Sequence, residues 1–291
     1  MLHRKILAGL FSAALLFGTA VARDQAVYSS IDFPGAVSTN AWGINPWGEI
    51  VGLYVDTGGK QHGFLLSGGQ FTSIDYPGAI ATDARGIGPD GEIVGSYTNA
   101  PGGPPNIHGY LLGHGTFTPV RFPGYLGSIA QRITPNGHIY GCNHNTDMMA
   151  SMHGFVRTAA GYTQLDVPAS MHTGATPDGT VIVGLYTDLT TGLSHGYFVR
   201  NGKFQPFDVP GSNLTAAWDI NPSESVVGQF SDTTGISHGF VLNEGEFTAI
   251  DFPAAIVTKA HGINPAGDIV GLYVDSSGKQ HGFLRSVAGR D

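Results

Sequence analysis

The sequence predicts an all-β fold, a six-bladed β-propeller with four antiparallel strands per blade. Three observations carry the prediction: a unit of about 43 residues that recurs six times, four short β-prone runs within each unit, and chain ends that are complementary fragments of one unit. The composition agrees. Charged residues make up 12% of the 291, against roughly 25% in an average domain, while Gly (44) and Pro (17) supply abundant turns.

A His-Gly-aromatic triplet marks each unit, at His62, His108, His153, His195, His238 and His281, with spacings of 46, 45, 42, 43 and 43 residues. Before each triplet stands a second signature, such as Gly43-Ile-Asn-Pro-Trp-Gly-Glu-Ile-Val-Gly52. Residues 43–65 and 262–284 match at 19 of 23 positions. After each triplet comes a third signature, for example Ile31-Asp-Phe-Pro34 and Ile250-Asp-Phe-Pro253.

The strands follow from alternating β-prone runs and turn residues. In the first unit strand one spans residues 39–45 and ends at Pro46-Trp47-Gly48. Strand two spans 49–55, and Asp56-Thr-Gly-Gly59 turns the chain. Strand three spans 61–66, Gly68-Gly69 forms the next hairpin, and strand four spans 71–76, stopped by Pro77-Gly78. Radial packing of such units buries both faces of every sheet.

The ends test this reading. Tyr28 to Phe33 is a strand four without its first three strands, and Ala260 to Arg285 is strands one to three without a fourth. Pairing the N-terminal strand with the C-terminal blade closes the ring and removes an unpaired edge.

Ahead of the repeats, residues 1–22 have a basic head (Arg4, Lys5), an apolar run and an Ala20-Val-Ala22 end, the pattern of a secretory signal peptide cleaved after Ala22. Residues 23–291 then form one domain, secreted or periplasmic, with 12 basic against 22 acidic residues and a net charge of −10. Lys and Arg are scattered singly, which argues against a nucleic-acid partner. No second apolar stretch of about 18 residues argues for membrane insertion. Cys142 is the sole cysteine, so no intramolecular disulfide can form.

The Gly-Ile-Asn-Pro-x-Gly-x-Ile-Val-Gly segment and the triplet resemble those of the HAF family of extracellular repeat proteins, named for a His-Ala-Phe triplet. All six triplets here have Gly in the middle. The resemblance implies an exported repeat protein and lends no catalytic residues.

Six equivalent histidines invite a metal reading, but strand three lies about 10 Å outside the innermost strand, too far for ligands of different blades to meet at about 2 Å from one ion. Each imidazole is expected to be buried against a backbone or Asp partner. Asp56, Asp188, Asp232 and Asp275 are expected to bond their own turns. Asp32, Asp75, Asp166, Asp208 and Asp251 on strand four are expected to keep that outer edge from pairing with other chains. No cofactor or metal is expected, and Cys142 is read as packing.

Function is sought where the copies differ. Four positions before the strand-one proline stand Trp42, Arg85, Gln131, Thr173, Trp218 and His261; two positions earlier still stand Asn40, Asp83, Ile129, Met171, Ala216 and Lys259. These positions are placed at the channel mouth where the strand-four-to-one links enter. The strand-two-to-three loops emerge on that face and vary in length, whereas the Asn-Pro-x-Gly turns of the opposite face are uniform. Two Trp, an Arg, a Gln and a His offer stacking and hydrogen bonds. The expectation is a monomeric, non-enzymatic module binding a glycan, a small polar molecule or another protein, with Trp42, Arg85, Gln131, Thr173, Trp218, His261, Asp83 and Lys259 as candidate contacts. The alternative is a propeller hydrolase or lyase at the channel mouth, for which Asp83, Arg85 and His261 form about half a site.

Overall fold

Alternating turn and β-prone segments leave the chain one economical arrangement, a repeated meander. The computed structural model describes residues 26–165 and 167–287 and shows six such meanders. The chain opens with β1 (Ala26–Ile31). The first blade is β2 (Ser38–Ile44), β3 (Ile50–Val55), β4 (Gln61–Ser67) and β5 (Gln70–Ile74). The second is β6 (Ala81–Ile87), β7 (Ile93–Thr98), β8 (Ile107–Gly113) and β9 (Thr116–Val120). The third is β10 (Gly127–Ile133), β11 (Ile139–His144), β12 (His153–Thr158) and β13 (Gly161–Gln164), with a single helical turn, α1 (Met148–Ser151), between its second and third strands. The fourth is β14 (Ser170–Ala175), β15 (Val181–Thr187), β16 (Ser194–Arg200) and β17 (Lys203–Phe207). The fifth is β18 (Leu214–Ile220), β19 (Val226–Ser231), β20 (Ser237–Asn243) and β21 (Glu246–Ile250). The sixth is β22 (Val257–Ile263), β23 (Ile269–Val274) and β24 (Gln280–Val287), completed by β1.

The chain is a six-bladed β-propeller. Its closure is the predicted one, with β1 antiparallel to β24 from Ala26 opposite Val287 to Ile31 opposite Gly282. First strands of neighbouring blades touch all the way round, β22 against β2 included, so they are the innermost strands. Strand four of the first unit is shorter than expected because Asp75 and Tyr76 leave the ladder. Tyr76 N–H donates instead to Thr82 Oγ1 at 3.0 Å, across the link into the next blade. The predicted signal peptide lies outside the described residues. No described helix is long and apolar enough to cross a membrane.

Every innermost strand carries a β-bulge. Register slips by one residue at Trp42, Arg85, Gln131, Thr173, Trp218 and His261, the six variable positions. A bulge re-aims a side chain and strengthens local twist, which turns these residues toward the axis. Opposite each bulge strand two has glycine. A Cβ at Gly52 would lie 2.0 Å from Asn40 O, so no other residue fits.

The core lies between blades. The aromatic residue of each triplet is fully buried (Phe64, Tyr110, Phe155, Tyr197, Phe240 and Phe283), packed on the small residues of the innermost strands. The aromatic residue of the link stacks on strand two of the following blade: Phe33 on Tyr54 at 3.6 Å, Tyr76 on Tyr97 at 3.6 Å and Phe252 on Tyr273 at 3.7 Å. These inter-blade contacts make six marginal sheets one cooperative body.

Candidate functional site

Bulges aim six variable side chains at the axis, and the axis is filled rather than open. Trp42 stacks on His261 with ring centroids 4.0 Å apart and meets Trp218 edge-on at 5.2 Å. The Arg85 guanidinium sits 4.6 Å from the Trp42 centroid, and Trp42 is only 8% exposed. Arg85 Nε donates to Asp83 Oδ2 at 2.9 Å, and Arg85 Nη1 donates to Gln131 Oε1 at 3.2 Å. Gln131 Nε2 then lies 2.9 Å from Met171 Sδ. Thr173 Oγ1 donates to Ala217 O at 2.9 Å, bridging the fourth and fifth blades. The structure thus brings Trp42, Arg85, Gln131, Trp218, His261 and Asp83 into one contiguous cluster, with Lys259 close enough to disfavour charge on His261.

Electrostatics follow from burial. His261 Nδ1–H donates to Asn40 Oδ1 and Ala41 O, both at 3.1 Å. Burial holds its pKa down at about 3, so the ring is neutral. Burial likewise lowers the Lys259 ammonium. Asp83 Oδ1 accepts from Ser96 N at 2.6 Å and Ser96 Oγ at 2.8 Å, while Oδ2 takes Arg85. The half site expected around Asp83, Arg85 and His261 is therefore committed to structure.

One layer further along the axis lies an ion pair between residues just outside the variable ring. Arg132 of β10 donates through Nη1 to Arg85 O (2.6 Å) and Gln131 O (2.9 Å), and through Nη2 to Trp42 O (2.9 Å) and His261 O. Its Nε stands 3.1 Å from Asp219 Oδ2 of β18, off the line of its N–H, which finds no aligned acceptor. One side chain thus contacts the innermost strands of five blades. Burial raises the Asp219 carboxyl, with Arg132 acting against the rise; Asp219 also accepts from Ile220 N at 3.0 Å and Ile263 N at 3.1 Å. The signal existed in the sequence. The residue after each bulge is Gly43, Gly86, Gly174 or Gly262 in four units and a residue of opposite charge, Arg132 or Asp219, in the other two.

Beyond this pair, on the uniform face, a cavity of about 90 Å³ opens between the turn prolines. The uniform turns of this face carry no sequence difference between units that would mark the concavity, whereas the expected binding positions lie toward the opposite face.

The opposite face, where links and two-to-three loops emerge, mixes exposed apolar and acidic side chains. Among the described residues, seven of the nine exposed large apolar side chains lie there: Val37, Ile80, Leu126 and Ile256 in the links, and Leu189, Leu193 and Ile236 in the loops, each 45–57% exposed. Nine described aspartates share the face, Asp147 of the third blade's loop among them. His62 Nδ1–H donates to Asp75 at 2.7 Å and its Nε2 stands 3.3 Å from Asp56. His281 lies likewise between Asp32 (2.7 Å) and Asp275 (3.3 Å), and His238 between Asp251 (2.8 Å) and Asp232 (3.6 Å). His195 bonds Asp208 at 2.9 Å. The strand-four aspartates thus orient the triplet histidines. These histidines are part-buried, and the fully buried imidazoles expected at the triplet are found instead at His144, His172 and His261. In the second blade Arg121 replaces the aspartate; His108 is buried, and burial, followed by Arg121, lowers its pKa. His153 Nδ1–H donates to Leu165 O at 3.2 Å, and its expected partner Asp166 lies outside the described residues. The loop aspartates do bond their own turns, Asp275 accepting from Ser277 N and Lys279 N. Among the described residues no group of three or more His, Cys, Asp or Glu has the geometry to hold a metal ion. Cys142 is fully buried beside Ile129 and Met152, and burial pushes its thiol up to about 12.

No protein-family model matches the chain, and no curated protein matches it in sequence. Solved structures share its fold. A gluconolactonase from Xanthomonas campestris is similar over 87% of this chain and 88% of its own, with 13% identity and a TM-score of 0.55. TolB from Acinetobacter baumannii is similar over 87% of this chain and 65% of its own, with 14% identity and a TM-score of 0.54. The fungal lectin of Aleuria aurantia, a six-bladed propeller that recognises fucose, is similar over 88% and 93% of the two chains, with 10% identity and a TM-score of 0.54. At these identities the likeness is one of fold.

Proposed function

We propose that this chain is an exported, non-enzymatic binding propeller that docks a basic, partly apolar protein surface on the face of the links and two-to-three loops. The observation that carries the reading is the collection of exposed apolar side chains on that face. Isolated exposed Leu or Ile residues are ordinary, whereas a set gathered on one face marks an interaction surface. Its charge selects the partner. The nine described aspartates outnumber Lys60, Lys279 and Arg121 on that face, and Asp56, Asp75, Asp188, Asp232 and Asp275 are held below the ordinary carboxylate range by hydrogen bonds, so they stay ionised at neutral pH. Acidic loops around apolar contacts favour a basic partner and speed its approach.

Within the classes expected from the sequence, glycan stacking loses support because the Trp42 ring is already covered by His261 and Arg85. Hydrolysis loses support because Asp83 is fully engaged. The leader over residues 1–22 and the HAF-like repeats support export to the periplasm or the medium, and N-terminal sequencing of the exported protein should begin at Arg23.

The test is quantitative cross-linking of the exported protein in its native extract, comparing wild type with an Ile80→Asp/Leu126→Asp/Ile256→Asp variant of matched thermal midpoint. A protein cross-linked to this face in wild type, lost in the variant and weakened by 0.5 M salt at about the level Debye screening implies, supports the reading. A protein that the variant retains, or a saturable sugar ligand with no protein partner, overturns it.

A further inference from the structure

The cavity on the uniform face has an aliphatic wall and an ionic floor. Ile44, Ile87, Ile133, Ile220 and Ile263 occupy equivalent positions around it, and the sixth position is Ala175. Polar side chains at the rim are engaged with backbone: Asn45 Oδ1 accepts from Trp47 N and Glu49 N, and Asn221 Oδ1 from Ser223 N and Ser225 N, all at 3.0 Å, while their Nδ2 groups donate to Gly88 O and Asn264 O of the next blade at 3.4 Å. The floor is Arg132 and Asp219. At 10–15 Å³ for each water-sized group, a cavity of about 90 Å³ has room for roughly six to nine of them.

Two features break the pseudo-six-fold symmetry on the same side. Ala175 leaves a notch where the other blades fill the wall with Ile. Asp219 lies against that notch, since a Cβ on the neighbouring Gly174 would stand 2.8 Å from Asp219 Oδ1. This oxygen accepts from Ile220 N, and a carboxylate oxygen has two acceptor positions. On the floor's other half, Arg132 is 7% exposed with an Nε proton that has no aligned acceptor. Polar capacity therefore remains at the base of an otherwise aliphatic funnel. The floor as a pair is neutral, so an added charge would be desolvated by the wall with nothing to compensate it.

We propose that this funnel binds a small neutral molecule with a branched or cyclic aliphatic body and one hydroxyl, the body filling the Ala175 notch and the hydroxyl donating to Asp219. The site is independent of the protein-docking face, which lies on the other side of the Arg132–Asp219 layer.

Cyclohexanol, with seven heavy atoms, is the probe; the readouts are ligand-observed NMR and thermal shift on the mature chain. At ordinary binding energies per heavy atom, a saturable affinity in about the millimolar range is expected. Cyclohexanone, which cannot donate to Asp219, should bind about tenfold more weakly, the worth of one hydrogen bond, and cyclohexylammonium, whose charge the wall desolvates, about tenfold or more. Ala175→Ile restores the residue that five blades already carry and should weaken cyclohexanol about tenfold or more by filling the notch. If Ala175→Ile fails to fold, Ala175→Val tests the same notch with one methylene less. The docking-face variant should bind cyclohexanol as wild type does, which separates failure here from failure of the protein-docking reading. No saturable binding, equal binding of alcohol and ketone, or unchanged binding in the Ala175 variants overturns the proposal.

Discussion

His172 and His261 are fully buried neutral imidazoles, with pKa values held near 3 by burial. His172 Nδ1 pairs with Tyr197 Oη at 2.7 Å, and His261 with Asn40 and Ala41. In the unfolded chain each takes a proton near pH 6.5 that the native state refuses. Stability from these residues is thus complete above about 6.5 and lost as pH falls toward 3, each contributing a slope of about 1.4 kcal/mol per pH unit in that window. The depressed loop aspartates act with the same sign, but only as pH falls below about 3.9. Asp219, raised by burial, opposes them in the carboxylate range. Urea midpoints should stay level above about pH 7 and fall steadily below about 6.5, and His261→Gln should remove part of that slope. A midpoint that is flat down to pH 4.5 contradicts the assignment. The triplet histidines were the conspicuous ones in the sequence, yet His172 and His261 carry the larger perturbation, because burial is set by distance from the axis and not by repetition.

At the scale of the element, the unit is a bulged first strand clasped by a glycine in the second. The bulge carries the variable residue, so variation and backbone geometry coincide in all six blades. Gly52→Ala places a methyl group 2.0 Å from Asn40 O and 2.7 Å from the Phe64 ring. It should cost about 3 kcal/mol or more, or abolish folding. Gly48→Ala, strained only by a φ of 81° with open space around it, should cost about 1 kcal/mol. Denaturant titration of the two variants distinguishes the steric clasp from a generic loss of glycine; equal costs would sink it. Strand existence and order were legible because turn residues punctuate every run. The bulge was not, because a one-residue slip leaves the hydrophobic pattern of so short a strand almost unchanged.

Across the whole molecule, two devices close the ring. One is β1 completing the sixth blade, so deletion of residues 26–31 should leave β24 an exposed edge and lower the thermal midpoint while promoting association. The other is Arg132, which ties carbonyls of four blades together and pairs with Asp219 of a fifth. Arg132→Met leaves Asp219 buried without its counter-charge and should cost about 3–5 kcal/mol, whereas Arg132→Met/Asp219→Leu should recover much of the loss, since an apolar pair often replaces a buried ion pair without penalty. Urea denaturation of the two singles and the double decides it. Additive single losses would show that the pair is not coupled.

The repeat, the strand order, the six blades and the closure are legible in the amino-acid chain, because each depends on local turn chemistry and on counting. The collapse of the variable ring into a packed Trp42–His261–Arg85 cluster, the meeting of Arg132 and Asp219 across the axis and the cavity on the uniform face arise with the assembled fold. Those outcomes depend on which side chains of non-adjacent blades converge on one line. Convergence through the closed ring is a property of the assembled disc, and no single repeat contains it.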